Sequence, residues 1–347
     1  MPLGGIRRGF IALCAAFLFA AGAAGQTTGT DPDLAPRPLD VQQMLSWLPA
    51  DTETLIVAKS FALPEMRDHN YSVEVMFQIM PLTTLWLKNG ALLDYFRGQR
   101  VLVALEGSRR FRSPQGFGFM LFEGCTILVF AEDLGDRAGA FFRSSSVDAF
   151  KIEDVDGHKV SVFQEKTGDG GTDTWTTFIA FAKPNLLFVA TNLDYLREVL
   201  SRMRGKSGPR ALPETLPQWK YVNTDAQFWG VRHYDRVQGV GDPSSPFFAA
   251  TGNMFPPWID DRAVGLTFNF DPADAKRPTM VYMSGNPSVA KAERGPLSMG
   301  YEGNKFDIMY RNLDANAIEA SYNIRDTDAP HTFFFMLLYF LGHGIFL

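Results

Sequence analysis

The pair Asp156-Gly157 lies between two runs of residues that favour β-strands, 149–155 and 158–164. An Asp-Gly pair in this setting is typical of a two-residue type I′ turn, because the backbone twist of that turn matches the twist of the flanking strands. The sequence therefore predicts a β-hairpin whose register is fixed by its turn. Antiparallel pairing is then part of the fold, and the rest of the chain must supply elements compatible with it.

Other segments have helix or strand patterns that agree with such a sheet. The predicted helices cover 41–47, 66–96, 133–145 and 193–203, and Asp40 and Asn192 are predicted N-caps of the first and the last. The predicted strands cover 54–58, 101–105, 116–122, 126–131, 175–181, 186–190, 226–234, 263–270, 279–284, 297–301, 305–311 and 317–324. A turn at Glu123-Gly124 is expected to join the strands 116–122 and 126–131. We therefore predict an α+β fold, in which antiparallel sheets have helices packed on one face.

A repeated strand–helix unit is one interpretation of three similar segments. Residues 56–61, 128–134 and 187–193 each end an apolar run with a polar residue that can cap a helix. Chance similarity between strand-to-helix junctions explains the pattern about as well as a repeat does.

The first 25 residues have the pattern of a secretory signal peptide. Arg7 and Arg8 precede a short apolar core, 10–21, and small residues follow at 21–25. An uncleaved N-terminal anchor is the alternative, and the small residues and the polar 26–28 favour cleavage. We therefore expect an exported protein, in the periplasm or outside the cell.

The remaining chain divides by composition. Residues 26–40 form a polar, Pro-rich linker, and Gly and Pro residues concentrate at 206–217. The predicted organisation is a first α+β half at 41–205, a connection at 206–217, a β-rich second half at 218–330 and a C-terminal apolar helix at 331–347.

Composition excludes several classes of protein. With 46% hydrophobic and 20% charged residues, the chain is not intrinsically disordered. Without Arg7 and Arg8 the basic residues number 33 − 2 = 31 against 38 acidic ones, a net charge of −7 that argues against nucleic-acid partners. The two cysteines and five histidines are too few and too scattered for a disulfide framework or a zinc site, so no metal and no cofactor is expected. Cys125 is expected to be a buried, inert thiol.

The C-terminal segment Thr332 to Leu347 contains no charged residue. Pro330 favours a helix start and Gly342 a helix end, which gives a helix of about 20 Å against a bilayer core of about 30 Å. Burial within the protein is the leading interpretation. Membrane association through this segment and binding of a partner protein remain alternatives.

The common catalytic sequence motifs are absent, which leaves two weak candidates for a functional site. His233 and Asp235 are two residues apart in a predicted strand, so they can share one face as an oriented general base. Arg109, Arg110 and Arg112 can bind an anion such as a phosphate or a carboxylate. For each group, a structural or solvated role is the more common alternative.

One segment is similar to part of a known group of proteins. It covers residues 45–58 and reads Leu-Ser-Trp-Leu-Pro-Ala-Asp-Thr-Glu-Thr-Leu-Ile-Val-Ala. It resembles the opening of a group of exported bacterial proteins of unknown function, whose mature domain begins with a Leu-Pro-Ala-Asp-Thr box that leads into a first strand. The hairpin around 155–157 and the strand and helix after 186 are similar as well. The resemblance implies an extracytoplasmic α+β protein and identifies no functional residues.

These observations leave three hypotheses for function. The leading one is a non-catalytic binding or cell-envelope-associated module, because no catalytic group of residues is recognisable. The second is a hydrolase-like enzyme whose site is assembled from distant strands. The third is a membrane-tethered accessory protein, held by Thr332 to Leu347. The sequence does not specify the ligand or the partner.

Overall fold

The structure is a computed structural model that describes residues 40–62, 96–110, 122–148, 151–167, 173–233, 263–270, 279–284, 297–301 and 304–324. Its α-helices are α1 (Val41–Trp47), α2 (Gly135–Asp148) and α3 (Leu193–Met203), and a 3-10 helix covers Pro217–Tyr221. Its first seven strands are β1 (Thr54–Ala62), β2 (Arg100–Arg110), β3 (Phe122–Phe130), β4 (Lys151–Val155), β5 (His158–Thr167), β6 (Asp173–Lys183) and β7 (Leu186–Ala190). The others are β8 (Phe228–His233), β9 (Ala263–Phe270), β10 (Thr279–Ser284), β11 (Leu297–Tyr301), β12 (Asn304–Asn312) and β13 (Ala317–Ile324).

The described strands form one antiparallel sheet, in the order β11-β12-β13-β10-β9-β8-β1-β2-β3-β7-β6-β5-β4. Together with the helices this is a mixed α and β arrangement that consists mostly of strand. The sheet continues across the predicted connection 206–217, because β1 pairs with β2 on one side and with β8 on the other. The division into two domains therefore stays a prediction.

The hairpin predicted from Asp156-Gly157 is present. β4 pairs with β5, and Val155 faces His158 across the turn. Asp156 and Gly157 have φ values of 54° and 79°, the positive values that a type I′ turn requires at both central positions. The Gly157 N–H donates to Asp154 Oδ1 at 2.9 Å, which further fixes the turn.

The two predicted N-caps are present as well. The side chain of Asp40 accepts a hydrogen bond from the Gln42 N–H at 2.9 Å, at the start of α1. Asn192 accepts one from the Tyr195 N–H at 3.0 Å, at the start of α3. Each bond satisfies a backbone donor that the first turn of a helix leaves unpaired, and both helices have the bounds that the sequence predicted.

The largest core lies between the sheet and the helices α1 and α3. We call the side of the sheet that they cover face A; it includes Leu55, Leu105, Ile127 and Phe188, which belong to the same buried cluster as both helices. α3 buries Tyr195, Leu196, Val199 and Leu200 there. Because strand side chains alternate, the residues between these positions lie on the opposite side, face B.

The expectation that helices pack on one face holds for α1 and α3 but is wrong for α2. Phe141 of α2 lies 6.3 Å from Phe163 and 6.2 Å from Phe181, measured between ring centroids. Phe181 pairs with Leu187 and therefore alternates with Phe188, which places it on face B. The described helices thus cover both faces of the sheet.

The turn predicted at Glu123-Gly124 is also wrong, because β3 continues through both residues. Gly124 pairs with Ser108 of β2. A Cβ atom at Gly124 would lie 2.9 Å from the Gly107 carbonyl oxygen and 2.9 Å from the Ser108 Cβ. This glycine therefore permits a close approach of two strands, which is the other common use of glycine within a sheet.

Several predictions lie outside the described residues: the signal peptide, the linker up to residue 39, the helical stretch 66–96 except for its last residue, and the C-terminal helix over 331–347. Among the helices that are described, none is long and apolar enough to cross a lipid bilayer.

Candidate functional site

Arg109, a predicted anion-binding residue, is held by two carboxylates near the end of β2. Its Nε donates to Glu123 Oε2 at 2.8 Å, and its Nη2 lies 2.8 Å from the same oxygen. Its Nη1 donates to Asp51 Oδ2 at 2.6 Å. The guanidinium is thus neutralised by groups of the protein itself, which favours a structural role for this residue.

The contacts around Arg109 and Glu123 extend to the start of α3. Asn192 donates through Nδ2 to Glu123 Oε1 at 3.0 Å, and the Arg109 guanidinium lies 5.4 Å from the centre of the Tyr195 ring. These contacts join β2, β3 and α3. Arg110 is the last residue of β2, and Arg112 lies outside the described residues. Anion binding by the three arginines therefore stays a prediction.

His233, the other predicted site residue, ends β8. Its Nδ1 lies 2.7 Å from the side-chain nitrogen of Gln218, which is buried in the 3-10 helix. An amide nitrogen donates, so Nδ1 of the imidazole can accept this hydrogen bond. Asp235 lies outside the described residues, so its pairing with His233 stays a prediction.

Five buried polar residues lie on face B of the central strands, and we call them the central polar patch. They are Thr54, Glu106, Ser108, Thr126 and Arg232, with exposed fractions of 3%, 1%, 1%, 0% and 4%. Each alternates along its strand with a residue of the face A core, so the five lie on the side opposite α1 and α3.

The strand register brings these residues together. Thr54 pairs with Ser108 on one side and with Arg232 on the other, and Glu106 pairs with Thr126. Directly paired residues in an antiparallel sheet have Cβ atoms about 4.5 to 5.5 Å apart. The hydroxyl of Thr126 donates to Glu106 Oε2 at 3.2 Å. The patch therefore contains a carboxylate, a guanidinium and three hydroxyl groups within four neighbouring strands.

Burial of these groups costs free energy. A buried charged or polar group loses its hydration, and hydrogen bonds within the protein recover only part of that loss. The Ser108 hydroxyl is buried without a hydrogen-bond partner. Buried polar groups in native proteins usually have a hydrogen-bond partner, so this hydroxyl is a candidate contact for a bound water or ligand.

Cys125 lies on the opposite face of β3, next to Thr126 in sequence. It is free and buried, as predicted. Burial, and secondarily the charge of Glu106, raise the pKa of the Cys125 thiol. A thiol with a raised pKa is a poor nucleophile, so this residue is not a candidate for catalysis.

The central polar patch was missed in the sequence analysis. Its only local signals are polar residues within or at the ends of apolar strand segments, as with Glu106 after 101–105 and Thr126 before 127–130. Thr54, Ser108 and Arg232 are far apart in the chain, and only the register of β1 shows that they are neighbours.

Within the described part of the chain, no three His, Cys, Asp or Glu residues are grouped so that they could hold a metal ion. Comparison with known proteins finds no matching family model, curated protein or solved structure.

Proposed function

We propose that the protein is an exported, non-catalytic binding module of the cell envelope, and that the central polar patch holds the polar part of a small ligand. The observation that carries this proposal is the grouping of five buried polar residues on one sheet face, where the Ser108 hydroxyl has no hydrogen-bond partner. Small-molecule sites are mostly apolar and contain a few well-placed polar groups that orient the ligand. The patch, set among the buried apolar residues Ile56, Leu128 and Phe228, has this composition.

Binding is favoured over hydrolysis by the placement of the candidate groups. Glu106 lies on face B, whereas His233 alternates with Arg232 and its ring contacts Gln218 of the 3-10 helix. A general base must lie within hydrogen-bond reach of the group it activates, and the described residues do not bring this imidazole and this carboxylate to one side of the sheet. A hydrolase-like enzyme remains the alternative proposal.

Two further predictions remain as proposals. Membrane tethering through Thr332 to Leu347 is the second alternative for function. The repeated strand–helix unit is supported at two of its three junctions, where β3 is followed by α2 and β7 by α3. The third segment, 56–61, lies inside β1.

The proposed function is tested by native mass spectrometry of the chain from residue 26, exported by a bacterial host. We expect a fraction of the protein to carry the mass of a small molecule, and denaturation to remove it. Glu106→Gln should reduce the occupied fraction at least tenfold. The matched control Glu198→Gln alters only an ion pair with Arg202 on α3 and should leave the fraction unchanged. Wild-type protein with only the mass of the chain would contradict the proposal.

A further inference from the structure

The two sides of the sheet have the same strand order. Outward from the central pair β1–β8, one side runs β1-β2-β3-β7-β6-β5-β4 and the other runs β8-β9-β10-β13-β12-β11. β13 therefore corresponds to β7, the strand that directly precedes α3. The residues after β13, which include the C-terminal segment Thr332 to Leu347, correspond in chain order to α3. α3 packs on its own side of the sheet, in the face A core.

Face A of the second side is charged and open to solvent on β12. Met309 is 62% exposed, and the side chain of Arg311 is 69% exposed. Arg311 Nη2 lies 2.8 Å from Glu319 Oε1 of β13. Directly paired residues of β10 and β9 connect Glu319 to Val231 of the face A core, which places this ion pair on face A. An apolar segment laid over these groups would remove charges from water at a cost in free energy.

Face B of the same strands has no charged position. On β13, the strand register places on this face Ile318, Ala320, Tyr322 and Ile324. Their direct partners on β10 and β12 are apolar or aromatic as well, apart from Asn312 at the end of β12. The partners of those β10 residues on β9 continue the same row. An antiparallel sheet with one charged face and one apolar face packs its apolar face against the core.

An apolar face of this size needs a cover. Four strands with a spacing of about 4.8 Å and a length of about 20 Å form a face of roughly 400 Å². Monomeric proteins rarely expose contiguous apolar patches larger than a few hundred Å². The described helices lie elsewhere, since α1 and α3 belong to the face A core and α2 contacts Phe163 and Phe181 of β5 and β6. The cover therefore comes from another part of the chain or from a partner.

We infer that the C-terminal segment Thr332 to Leu347 covers face B of β9, β10, β12 and β13, and that it belongs to the core of the protein. Residues 325–331 connect it to β13, and these 331 − 324 = 7 residues span at most about 24 Å. β13 lies between β12 and β10, in the middle of the apolar face. A short tether gives the segment a local concentration in the millimolar range, so it covers the face ahead of a second copy or a partner.

The composition and the length of the segment match the face. The segment has no charged residue, like the face that it covers. The helix predicted from its sequence is about 20 Å long, which is enough to cross four strands at a spacing of about 4.8 Å. Packing the two together removes both apolar surfaces from water. The inference makes no use of the central polar patch, so it does not depend on the proposed binding function.

The first test measures thiol reactivity on opposite faces of β12 in the full chain. Ile308→Cys and Met309→Cys introduce a thiol at neighbouring positions on face B and face A. The thiol at position 308 should react at least about a hundredfold more slowly than the thiol at position 309. In a chain that ends at residue 330, the two rates should come within about tenfold of each other. A thiol at position 308 that stays protected in the shortened chain would overturn the inference.

Cys125 reports whether the shortened chain is folded, because it is buried in the face A core. Mass spectrometry assigns the modified cysteine, so its reaction is measured in the same sample. Slow modification of Cys125 together with fast modification at position 308 supports the inference. Fast modification of Cys125 shows that the shortened chain unfolds, which supports a role of the segment in the core.

The second test does not need the shortened chain. Leu337→benzoylphenylalanine in the full chain forms a crosslink on irradiation with the group that contacts the segment. We expect crosslinks to β9, β10, β12 or β13 of the same molecule, mapped by mass spectrometry after digestion in cells that export the protein. The control Ile152→benzoylphenylalanine, on β4 at a site with 42% exposure, should not crosslink to these strands. Crosslinks of position 337 to a second copy or to a membrane lipid would overturn the inference.

Discussion

The hydroxyl of Tyr195 lies 2.7 Å from the hydroxyl of Thr52, a residue 143 positions earlier in the chain. Tyr195 is fully buried in α3, and Thr52 is in the turn that leads into β1. Burial raises the pKa of Tyr195 well above its usual value, so the phenol stays neutral and keeps its proton for hydrogen bonding. This contact joins the Leu-Pro-Ala-Asp-Thr segment to the helix that covers the same end of the sheet.

Tyr195→Phe should lower the free energy of unfolding by about 1 to 2 kcal/mol, because it leaves the buried Thr52 hydroxyl without this partner. Thr52→Val should cost a similar amount. The double variant should cost less than the sum of the two single variants, since neither polar group then remains unpaired. Denaturant unfolding of the four proteins measures these differences. Strict additivity of the two effects would show that the hydroxyls do not interact.

Arg109→Met should destabilise the protein by about 2 to 4 kcal/mol, because it leaves Glu123 and Asp51 without their shared cation in a half-buried cluster. Arg109→Lys should recover only part of this loss, since an ammonium group cannot reproduce the two directed contacts of the guanidinium. Chemical denaturation measures both variants. Wild-type stability in Arg109→Met, together with loss of phosphate binding, would instead support the anion-site hypothesis.

The parts of the fold that short-range chemistry specifies could be predicted from the sequence. The Asp156-Gly157 turn and the caps at Asp40 and Asn192 depend on side chains within a few residues of the backbone groups they affect. The same holds for the apolar run 186–190, which is buried throughout. The predictions for these elements were therefore correct in type and nearly correct in extent.

Features that depend on strand register could not be predicted in this way. Gly124 has the appearance of a turn residue, and only its close approach to Gly107 explains its position within β3. The central polar patch is the same kind of feature, because Thr54, Ser108 and Arg232 become neighbours only when β1 is placed between β2 and β8. The sequence pattern within a single strand does not indicate which strands lie next to it in the sheet.

Cys125 is predicted to be a reporter of global unfolding. The chain that lacks residues 1–25 has no other cysteine, and this thiol is fully buried with a raised pKa. A thiol reagent should therefore modify the native protein at least about a thousandfold more slowly than the denatured protein. Spectrophotometric thiol titration measures both rates. Met309→Cys, at a site with 62% exposure, is the control that should react rapidly in the native state.

His158 is predicted to make stability depend on pH. Burial, and secondarily the charge of Arg204, lower the pKa of His158 below its ordinary value of 6.5. The folded chain thus binds this proton less readily than the unfolded chain. Stability should rise with pH between the folded pKa and 6.5, and it should be lost as the pH falls through that window.

The contribution of His158 is isolated by comparing thermal unfolding of wild type and His158→Gln from pH 5 to pH 8. Glutamine does not titrate, so the variant should lose less stability at the acid end than the wild type does, while the two should respond alike above pH 7. Because His158 is partly exposed, the difference should be small. Identical pH profiles for the two proteins would show that the imidazole of His158 titrates normally in the folded state.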